Sequence, residues 1–212
     1  MRLPIKSIKP TKIICVGSNY REHAEELGFK TPRSPLIFLK PASAIIYNSQ
    51  NIVYPPKVKR LDYEAELAVI IKKKGKNVKK QDAFKYILGY TCLNDVTARD
   101  LQQSDGQWTR AKSFDTFCPI GPAIETDLDL SGLRVESYLN GVLRQSSDIS
   151  SMIFPIAELV SFISGIMTLF PGDIISTGTP VGVGSMRQGD TIEIKIDKIG
   201  VLRNKVVGGK RP

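Results

Sequence analysis

The chain has 212 residues, 42% of them hydrophobic, and a formal net charge of +9 at pH 7. This is enough apolar material for one hydrophobic core, so we expect a single domain over residues 1–212. No apolar run is long enough to cross a bilayer and the N-terminus has no signal-peptide segment, so we expect a cytoplasmic protein. Cys15, Cys92 and Cys118 show no disulfide or metal-site spacing, which indicates buried, reduced thiols.

Patterns typical of β-strands recur along the whole chain. The predicted strands are residues 12–17, 35–39, 61–71, 86–95, 135–139, 142–145, 173–177, 191–196 and 201–207. Asn140 and Gly141 form the two-residue turn that is the strongest hairpin signal. Helical patterns are short, at residues 20–27, 81–86 and 156–164. We therefore predict a mainly β fold, a twisted sandwich or roll, with short helices at its edges.

Three carboxylates stand out within these apolar patterns. On a strand, Glu64 and Glu66 share a face, and Asp95 ends the next predicted strand. Converging carboxylates repel one another unless a cation lies between them, and a hard divalent cation is the natural candidate. The alternatives are a solvated strand face for the two glutamates and a helix N-cap for Asp95, because residues 96–102 could begin a helix.

A histidine and a carboxylate lie three residues apart in the first predicted helix. His23, the only histidine of the chain, and Glu26 would share a helix face. The carboxylate could then orient the imidazole as a general base. The alternative is an ordinary surface histidine among acidic neighbours.

Two further features have both a structural and a functional interpretation. Lys112 stands among apolar and aromatic residues, so it is either a loop lysine or a cation that stabilises an enolate or oxyanion. The glycine-rich segment 178–184 follows a predicted strand. It is either a turn or a place where backbone N–H groups approach a carboxylate.

The positive charge leaves a polyanion-binding role open. However, the lysines spread along the chain, the densest group at residues 72–80 is a predicted loop, and no aromatic residues interleave with it. We expect no nucleic-acid partner and no membrane partner. A basic protein with an acidic metal site would instead attract small anionic substrates.

Taken in order, segments over nearly the whole chain resemble the fumarylacetoacetate hydrolase family, in its short form similar to acylpyruvases and oxaloacetate decarboxylases. The matching segments are residues 16–20 with His23 and Glu26, 38–41, 62–67, 89–90, 94–100, 112–115, 152–154 and 168–180. Each segment is weakly specific by itself, and the ordered set is highly specific.

The resemblance implies a fold, a cofactor and a set of site residues. The implied fold is the β-sandwich or roll of that family, usually in a homodimer. The implied cofactor is Mg²⁺, with Mn²⁺ or Ca²⁺ as other options, bound by Glu64, Glu66 and Asp95. Arg99, Gln102, Lys112 and Thr179 match positions of the substrate pocket, and His23 with Glu26 matches a dyad that activates water.

The reaction expected first is metal-dependent cleavage of a C–C bond in a small 2-oxo acid. An acylpyruvate would be hydrolysed to pyruvate and a carboxylic acid through a metal-stabilised enolate, with catalytic roles for His23, Glu26 and Lys112. The alternative is decarboxylation, tautomerisation or isomerisation of oxaloacetate or catechol-pathway 2-oxo or 2-hydroxy diacids. A more remote alternative is a non-catalytic polyanion-binding protein, which only the net charge favours.

Overall fold

Short β-strands make up most of the regular structure in the computed structural model, which describes residues 1–22 and 32–209. In these ranges the strands are β1 (Arg2–Pro4), β2 (Ile13–Gly17), β3 (Leu36–Lys40), β4 (Ile45–Tyr47), β5 (Asn51–Tyr54), β6 (Leu61–Tyr63), β7 (Ala65–Ile71), β8 (Ile87–Asn94), β9 (Thr97–Ala98), β10 (Cys118–Glu125), β11 (Arg134–Leu139), β12 (Val142–Asp148), β13 (Ile174–Ser176), β14 (Gly184–Met186), β15 (Thr191–Ile196) and β16 (Gly200–Gly208). The α-helices with both ends in these ranges are α1 (Arg99–Asp105), α2 (Thr109–Lys112) and α3 (Ile156–Ile166). Short 3₁₀ helices cover Ile5–Ser7, Ala42–Ala44, Lys80–Tyr86 and Ile149–Ser151.

The strands form three sheets. The eight-stranded sheet has the order β1-β10-β8-β7-β13-β2-β3, with β4 also paired to β10. The five-stranded sheet has the order β12-β11-β15-β16-β5, and the small third sheet is β14-β6-β9. This confirms the mainly β prediction with few, short helices.

Strand β7 lies in the middle of the molecule and is buried along its whole length. Its successive side chains point to opposite faces, so Leu67 lies in the larger apolar cluster and Ala68 in the smaller one. The larger cluster also contains Ile194 of β15, which shows that the eight-stranded and five-stranded sheets pack against each other. Glu66 shares its face of β7 with Ala68.

The chain changes sheets at Glu64, so the prediction of one strand over residues 61–71 is wrong. β6 belongs to the small sheet and β7 to the eight-stranded sheet. Between them, the Glu64 backbone N–H donates to Asn94 Oδ1 at 3.0 Å, and its carbonyl accepts from the Asp95 N–H at 2.9 Å. These hydrogen bonds anchor the break against the end of β8.

Two helix boundaries also differ from the sequence prediction. Residues 97–98 form β9, and the next helix begins at Arg99, so Asp95 is not a helix N-cap. Helix α3 continues through Gly165 and ends where Met167 becomes extended, with the Met167 N–H bonded to the Ile163 carbonyl. Most of the predicted helix 20–27 lies outside the described residues.

Two other predictions, the hairpin turn and the buried cysteines, are confirmed. The hairpin turns at Asn140 and Gly141, whose φ angles are +53° and +79° as a type I′ turn requires. The three cysteines are free and buried. Within residues 1–22 and 32–209, no helix has the length and apolar character to cross a membrane. The homodimer stays a prediction.

A buried carboxylate joins the start of β13 to the start of β2. Asp173 Oδ1 accepts from Thr11 N at 3.0 Å and from Thr11 Oγ1 at 2.7 Å, and Oδ2 accepts from Phe170 N at 2.8 Å. Lys12 Nζ pairs with Oδ2. Burial opposes ionisation of Asp173, but the contacts from Lys12 and Thr11 outweigh it and lower the pKa of this carboxyl.

We predict that Asp173→Asn lowers the free energy of unfolding at pH 7 by about 3 kcal/mol, because an amide cannot accept all of these hydrogen bonds. A group with a lowered folded-state pKa stabilises the fold above its unfolded pKa of about 3.9. The difference between the two proteins should therefore shrink as pH falls below about 4. Urea unfolding at several pH values measures it. The exposed control Asp127→Asn should change stability by less than about 0.5 kcal/mol, and equal losses in both variants would contradict the prediction.

Candidate active site

Three buried carboxylates meet where β6, β7 and β8 end or begin. Glu64 lies between β6 and β7, Glu66 is the second residue of β7, and Asp95 directly follows β8. One oxygen from each residue lies within 4.8 Å of those from the other two. Their exposed fractions are only 5%, 2% and 0%. Burial of three carboxylates at such short range requires nearby cations.

Two lysines supply charge from opposite sides of Asp95. Lys40, at the end of β3, donates to Asp95 Oδ1 at 2.5 Å and to the Val96 carbonyl at 3.1 Å. Lys112, at the end of α2, donates to Asp95 Oδ2 at 2.6 Å and to Glu64 Oε2 at 2.9 Å. Burial by itself would lower the pKa of Lys112, but Asp95 and Glu64 raise it above its usual value, so the side chain is an ammonium ion at neutral pH.

Arg99 opens α1 and connects the cluster to the small sheet. Its guanidinium donates to Glu64 Oε1 at 2.5 Å, to Asp62 Oδ2 at 2.9 Å and to Gln102 Oε1 at 2.5 Å. Burial opposes the charge, yet Glu64 and Asp62 raise the pKa of Arg99 above its ordinary value. Gln102 is thereby held one helical turn along from Arg99.

Glu66 differs from the other two carboxylates because its hydrogen-bond donors in the described structure are neutral. Ser176 Oγ donates to Oε2 at 2.5 Å, and the Gly178 N–H donates to the same atom at 2.8 Å. Burial, together with the charges of Asp95 and Glu64, raises the pKa of Glu66 to about 8. A cation bound beside Glu66 would stabilise its charged form and lower this pKa. Three oxygen donors of this kind fit a hard divalent ion such as Mg²⁺ or Mn²⁺.

A cavity of about 230 Å³ opens onto the three carboxylates. Its other lining residues are Val16, Gly17, Ser18, Phe38, Arg99, Gln102, Gln103, Trp108, Lys112 and Thr179. The aromatic wall is an edge-to-face pair of Phe38 and Trp108 with ring centroids 5.2 Å apart, and the ammonium of Lys112 lies 5.0 Å from the Phe38 ring. The volume suits a ligand smaller than a drug-sized molecule.

The glycine-rich segment 178–184 contributes Thr179 to the lining of this cavity. Gly178 has a φ of +97°, and a Cβ on it would come within 2.7 Å of Asn19 Cβ. The segment thus brings the Gly178 N–H onto Glu66, which is the functional alternative that the sequence left open. Thr179 follows and is 3% exposed.

The structure brings together seven of the nine residues that the sequence singled out. Glu64, Glu66, Asp95, Arg99, Gln102, Lys112 and Thr179 all line the same cavity. His23 and Glu26 lie outside the described residues. Sequence reasoning missed Asp62 and Ser176, and it assigned no role to Lys40 or Gln145. The signal in the sequence is that Lys40 directly follows the apolar run of residues 36–39, and the structure shows that it is buried.

Comparison with known proteins now identifies the family. The family model described as fumarylacetoacetate (FAA) hydrolase C-terminal matches residues 12–207. The chain belongs to the fumarylacetoacetate hydrolase family. Its mainly β fold is the fold of that family. Several of its relatives have the names of enzymes.

Three members of the family illustrate the range of named activities. The chain is 43% identical over 210 residues to a protein of Rattus norvegicus named oxaloacetate tautomerase, covering 94% of this chain and 67% of that protein. It is 48% identical, with a TM-score of 0.91, to a crystal structure named 5-carboxymethyl-2-hydroxymuconate delta-isomerase from Mycobacterium smegmatis, covering 96% and 81%. It is 33% identical, with a TM-score of 0.90, to fumarylpyruvate hydrolase from Pseudomonas aeruginosa in complex with Mn²⁺ and pyruvate, covering 99% and 96%.

We predict that Glu66→Gln weakens Mn²⁺ binding by about 100-fold or more. Substitutions in the groups that merely support metal ligands cost about 10–100-fold in affinity, and this one removes a charged oxygen ligand of the cluster itself. Isothermal titration with Mn²⁺ measures the effect without any assay of activity. Glu193→Gln, on β15 of the other sheet, is the matched control and should bind Mn²⁺ like the unaltered protein. Unchanged affinity in Glu66→Gln would exclude this residue as a ligand.

Proposed function

We propose that this protein converts a small anionic 2-oxo acid through its enolate, with the help of a divalent cation. The observation that carries the proposal is a small cavity in which three carboxylates that fit a metal ion face two buried cations, Lys112 and Arg99. When bound by Glu64, Glu66 and Asp95, Mg²⁺ or Mn²⁺ would supply Lewis-acid polarisation of the 2-oxo group and its neighbouring carboxylate.

The residues of the chain supply the remaining electrostatics. Lys112 is a cation that two carboxylates fix in position, so it can stabilise negative charge that develops on the enolate oxygen. Phe38 and Trp108 give one side of the cavity an apolar surface, and an electrostatic interaction is stronger beside such a surface than in bulk water.

Arg99 and Gln102 would orient the far end of the substrate. Three N–H groups of Arg99 donate to Asp62, Glu64 and Gln102, and a guanidinium has five such donors in all. Its remaining donors are suited to a second carboxylate. This favours a 2-oxo diacid over a substrate with one carboxylate.

Among the reactions of such an enolate, we favour keto–enol tautomerisation or double-bond isomerisation of a 2-oxo diacid. The donors of Arg99 support the diacid, and the names of the rat and Mycobacterium smegmatis relatives support the reaction type. The reaction expected first from the sequence, hydrolysis of an acylpyruvate, becomes the second candidate. It is supported by the three-residue spacing of His23 and Glu26 and by the named fumarylpyruvate hydrolase.

The test compares oxaloacetate with acetylpyruvate in the presence of Mg²⁺. We predict that the protein accelerates interconversion of enol and keto oxaloacetate, followed by ultraviolet absorbance, more than it accelerates pyruvate release from acetylpyruvate. Lys112→Met should slow both reactions by about 10²–10³-fold, because both develop charge on the same oxygen.

Two controls test whether the acceleration depends on the metal ion and on Lys112 in particular. Excess chelator should abolish the acceleration, and the exposed variant Lys85→Met should retain it. Full activity in excess chelator, or near-normal turnover by Lys112→Met, would contradict the proposal.

A second prediction concerns His23 and separates hydrolysis from reactions of the same enolate that need no attacking water. Hydrolysis needs a base that activates water, so His23→Ala should slow acetylpyruvate cleavage by about 10²–10⁴-fold. Decarboxylation of oxaloacetate passes through the same enolate without attack by water, so it should be spared. Glu26→Gln should act in the same direction but less strongly, since it would orient the base. Equal losses in both reactions would show that the dyad only positions the substrate.

A further inference from the structure

A buried glutamine of the five-stranded sheet reaches into the wall of the active site. Gln145 is a residue of β12 and is 1% exposed. Its Oε1 accepts from the Ala65 backbone N–H at 3.0 Å, and its Nε2 donates to Thr179 Oγ1 and to the Pro180 carbonyl, both at 2.8 Å. Ala65 lies between Glu64 and Glu66. The Gln145 amide therefore connects the start of β7 to Thr179 and Pro180.

The partners of this amide determine its orientation. A backbone N–H only donates and a backbone carbonyl only accepts, so Oε1 must face Ala65 and Nε2 must face Pro180. With the oxygen and nitrogen exchanged, the amide N–H would face the Ala65 N–H, and the amide oxygen would face the Pro180 carbonyl. Because Nε2 donates to Thr179 Oγ1, that oxygen is an acceptor on this side, and its hydroxyl hydrogen remains to be donated on the side that lines the cavity.

Independent contacts hold the loop of Thr179 against β12. Gly182 has a φ of +97°, and a Cβ there would lie 2.3 Å from the carbonyl oxygen of Arg144, the residue before Gln145. The Tyr63 hydroxyl donates to the Gly182 carbonyl at 3.1 Å. The loop from Thr179 to Gly182 therefore rests on the backbone of β12, and Gln145 fixes its first side chain.

We propose that Gln145 is a positioning residue that makes Thr179 a hydrogen-bond donor to an anionic oxygen of the substrate. The inference rests on the proposed function, since the acceptor is the carboxylate or enolate oxygen of a 2-oxo acid. Gln145 acts through Thr179 and has no contact with the cavity in the described structure. It thereby selects ligands that present an acceptor, and not a donor, at this wall.

The decisive variant is Gln145→Glu, which keeps the shape of the side chain but removes its donor. The new carboxylate would accept from the Thr179 hydroxyl, so that this hydrogen is no longer available to the ligand. The probe is oxalate, a mimic of the pyruvate enolate, titrated in the presence of Mg²⁺. We expect Gln145→Glu and Thr179→Val each to weaken oxalate binding by about 10–100-fold, and Thr179→Ser to bind like the unaltered protein.

A double variant distinguishes positioning from the added negative charge. If Gln145 acts through Thr179, then Gln145→Glu with Thr179→Val should bind oxalate no more weakly than Thr179→Val alone. Fully additive losses would overturn the inference, because they would show direct repulsion of the ligand. Mn²⁺ binding without oxalate should remain close to that of the unaltered protein in each of these variants.

The matched control is Asn204→Asp. Asn204 is another buried amide of the same sheet, 2% exposed, and it donates to the carbonyls of Tyr47 and Gln50. The same change from amide to carboxylate should leave oxalate affinity unaltered there. If Gln145→Glu does not fold, Thr179→Val remains decisive, since normal oxalate binding by that variant would overturn the inference. No Mg²⁺-dependent oxalate binding by the unaltered protein would instead overturn the proposed function, and this inference with it.

Discussion

The buried carboxylate of Asp95 receives a lysine ammonium on each of its oxygens, from Lys40 and from Lys112. Removal of one partner from a buried ion pair costs several kcal/mol, about 3–5, because the other charge is left uncompensated. The pairs therefore bring three separate parts of the chain together: the end of β3, the end of β8 and the end of α2. The positions of the cavity walls follow from that requirement.

In the described structure, three cations lie beside the three carboxylates, but only two of these carboxylates are paired with them directly. Glu64 and Asp95 are paired with Arg99, Lys112 and Lys40, whereas Glu66 accepts from the neutral Ser176 and Gly178. The raised pKa of Glu66 is the consequence. A site with all its carboxylates neutralised by lysine and arginine would have little attraction for a metal ion. Glu66, which has no direct cationic partner among the described residues, is the carboxylate whose charged form a bound cation would stabilise most.

Local patterns in the sequence predict much of this fold. Alternation gave β15 with the correct bounds, and the Asn140–Gly141 pair gave the hairpin, because both signals depend on neighbouring residues. The break at Glu64 has no such signal, since an amide thirty residues away, that of Asn94, helps to anchor it. Gln145 is hidden for a similar reason. It is a polar residue between Arg144 and Ser146, which is typical of a solvent-facing strand end, and only its contacts with Thr179 and Pro180 in the structure show why it is buried.

The part of the candidate site that could be predicted consists of charged residues within or next to apolar strands. Carboxylates at Glu64, Glu66 and Asp95 are costly in a core, so their presence there required a reason. The groups that orient them are ordinary polar residues, and their partners become visible only in three dimensions. Ser176, for example, lies one residue from the end of a predicted strand, and nothing local distinguishes it from a strand-end serine.

On the proposed function, the buried ion pairs do not decide among the reactions, and the less buried residues of the cavity are left to do so. Tautomerisation, decarboxylation and hydrolysis of a 2-oxo acid all develop negative charge on one oxygen, so all three need the same cations beside the same carboxylates. They differ in the second reactant. Hydrolysis needs a water that attacks the distal carbonyl carbon, whereas tautomerisation needs a proton donor to the enolate carbon. The cavity lining includes the half-buried Ser18 and Trp108 and the exposed Gln103, in addition to the buried charged residues. The buried ion pairs can therefore remain unchanged while substitutions of the less buried residues change the reaction.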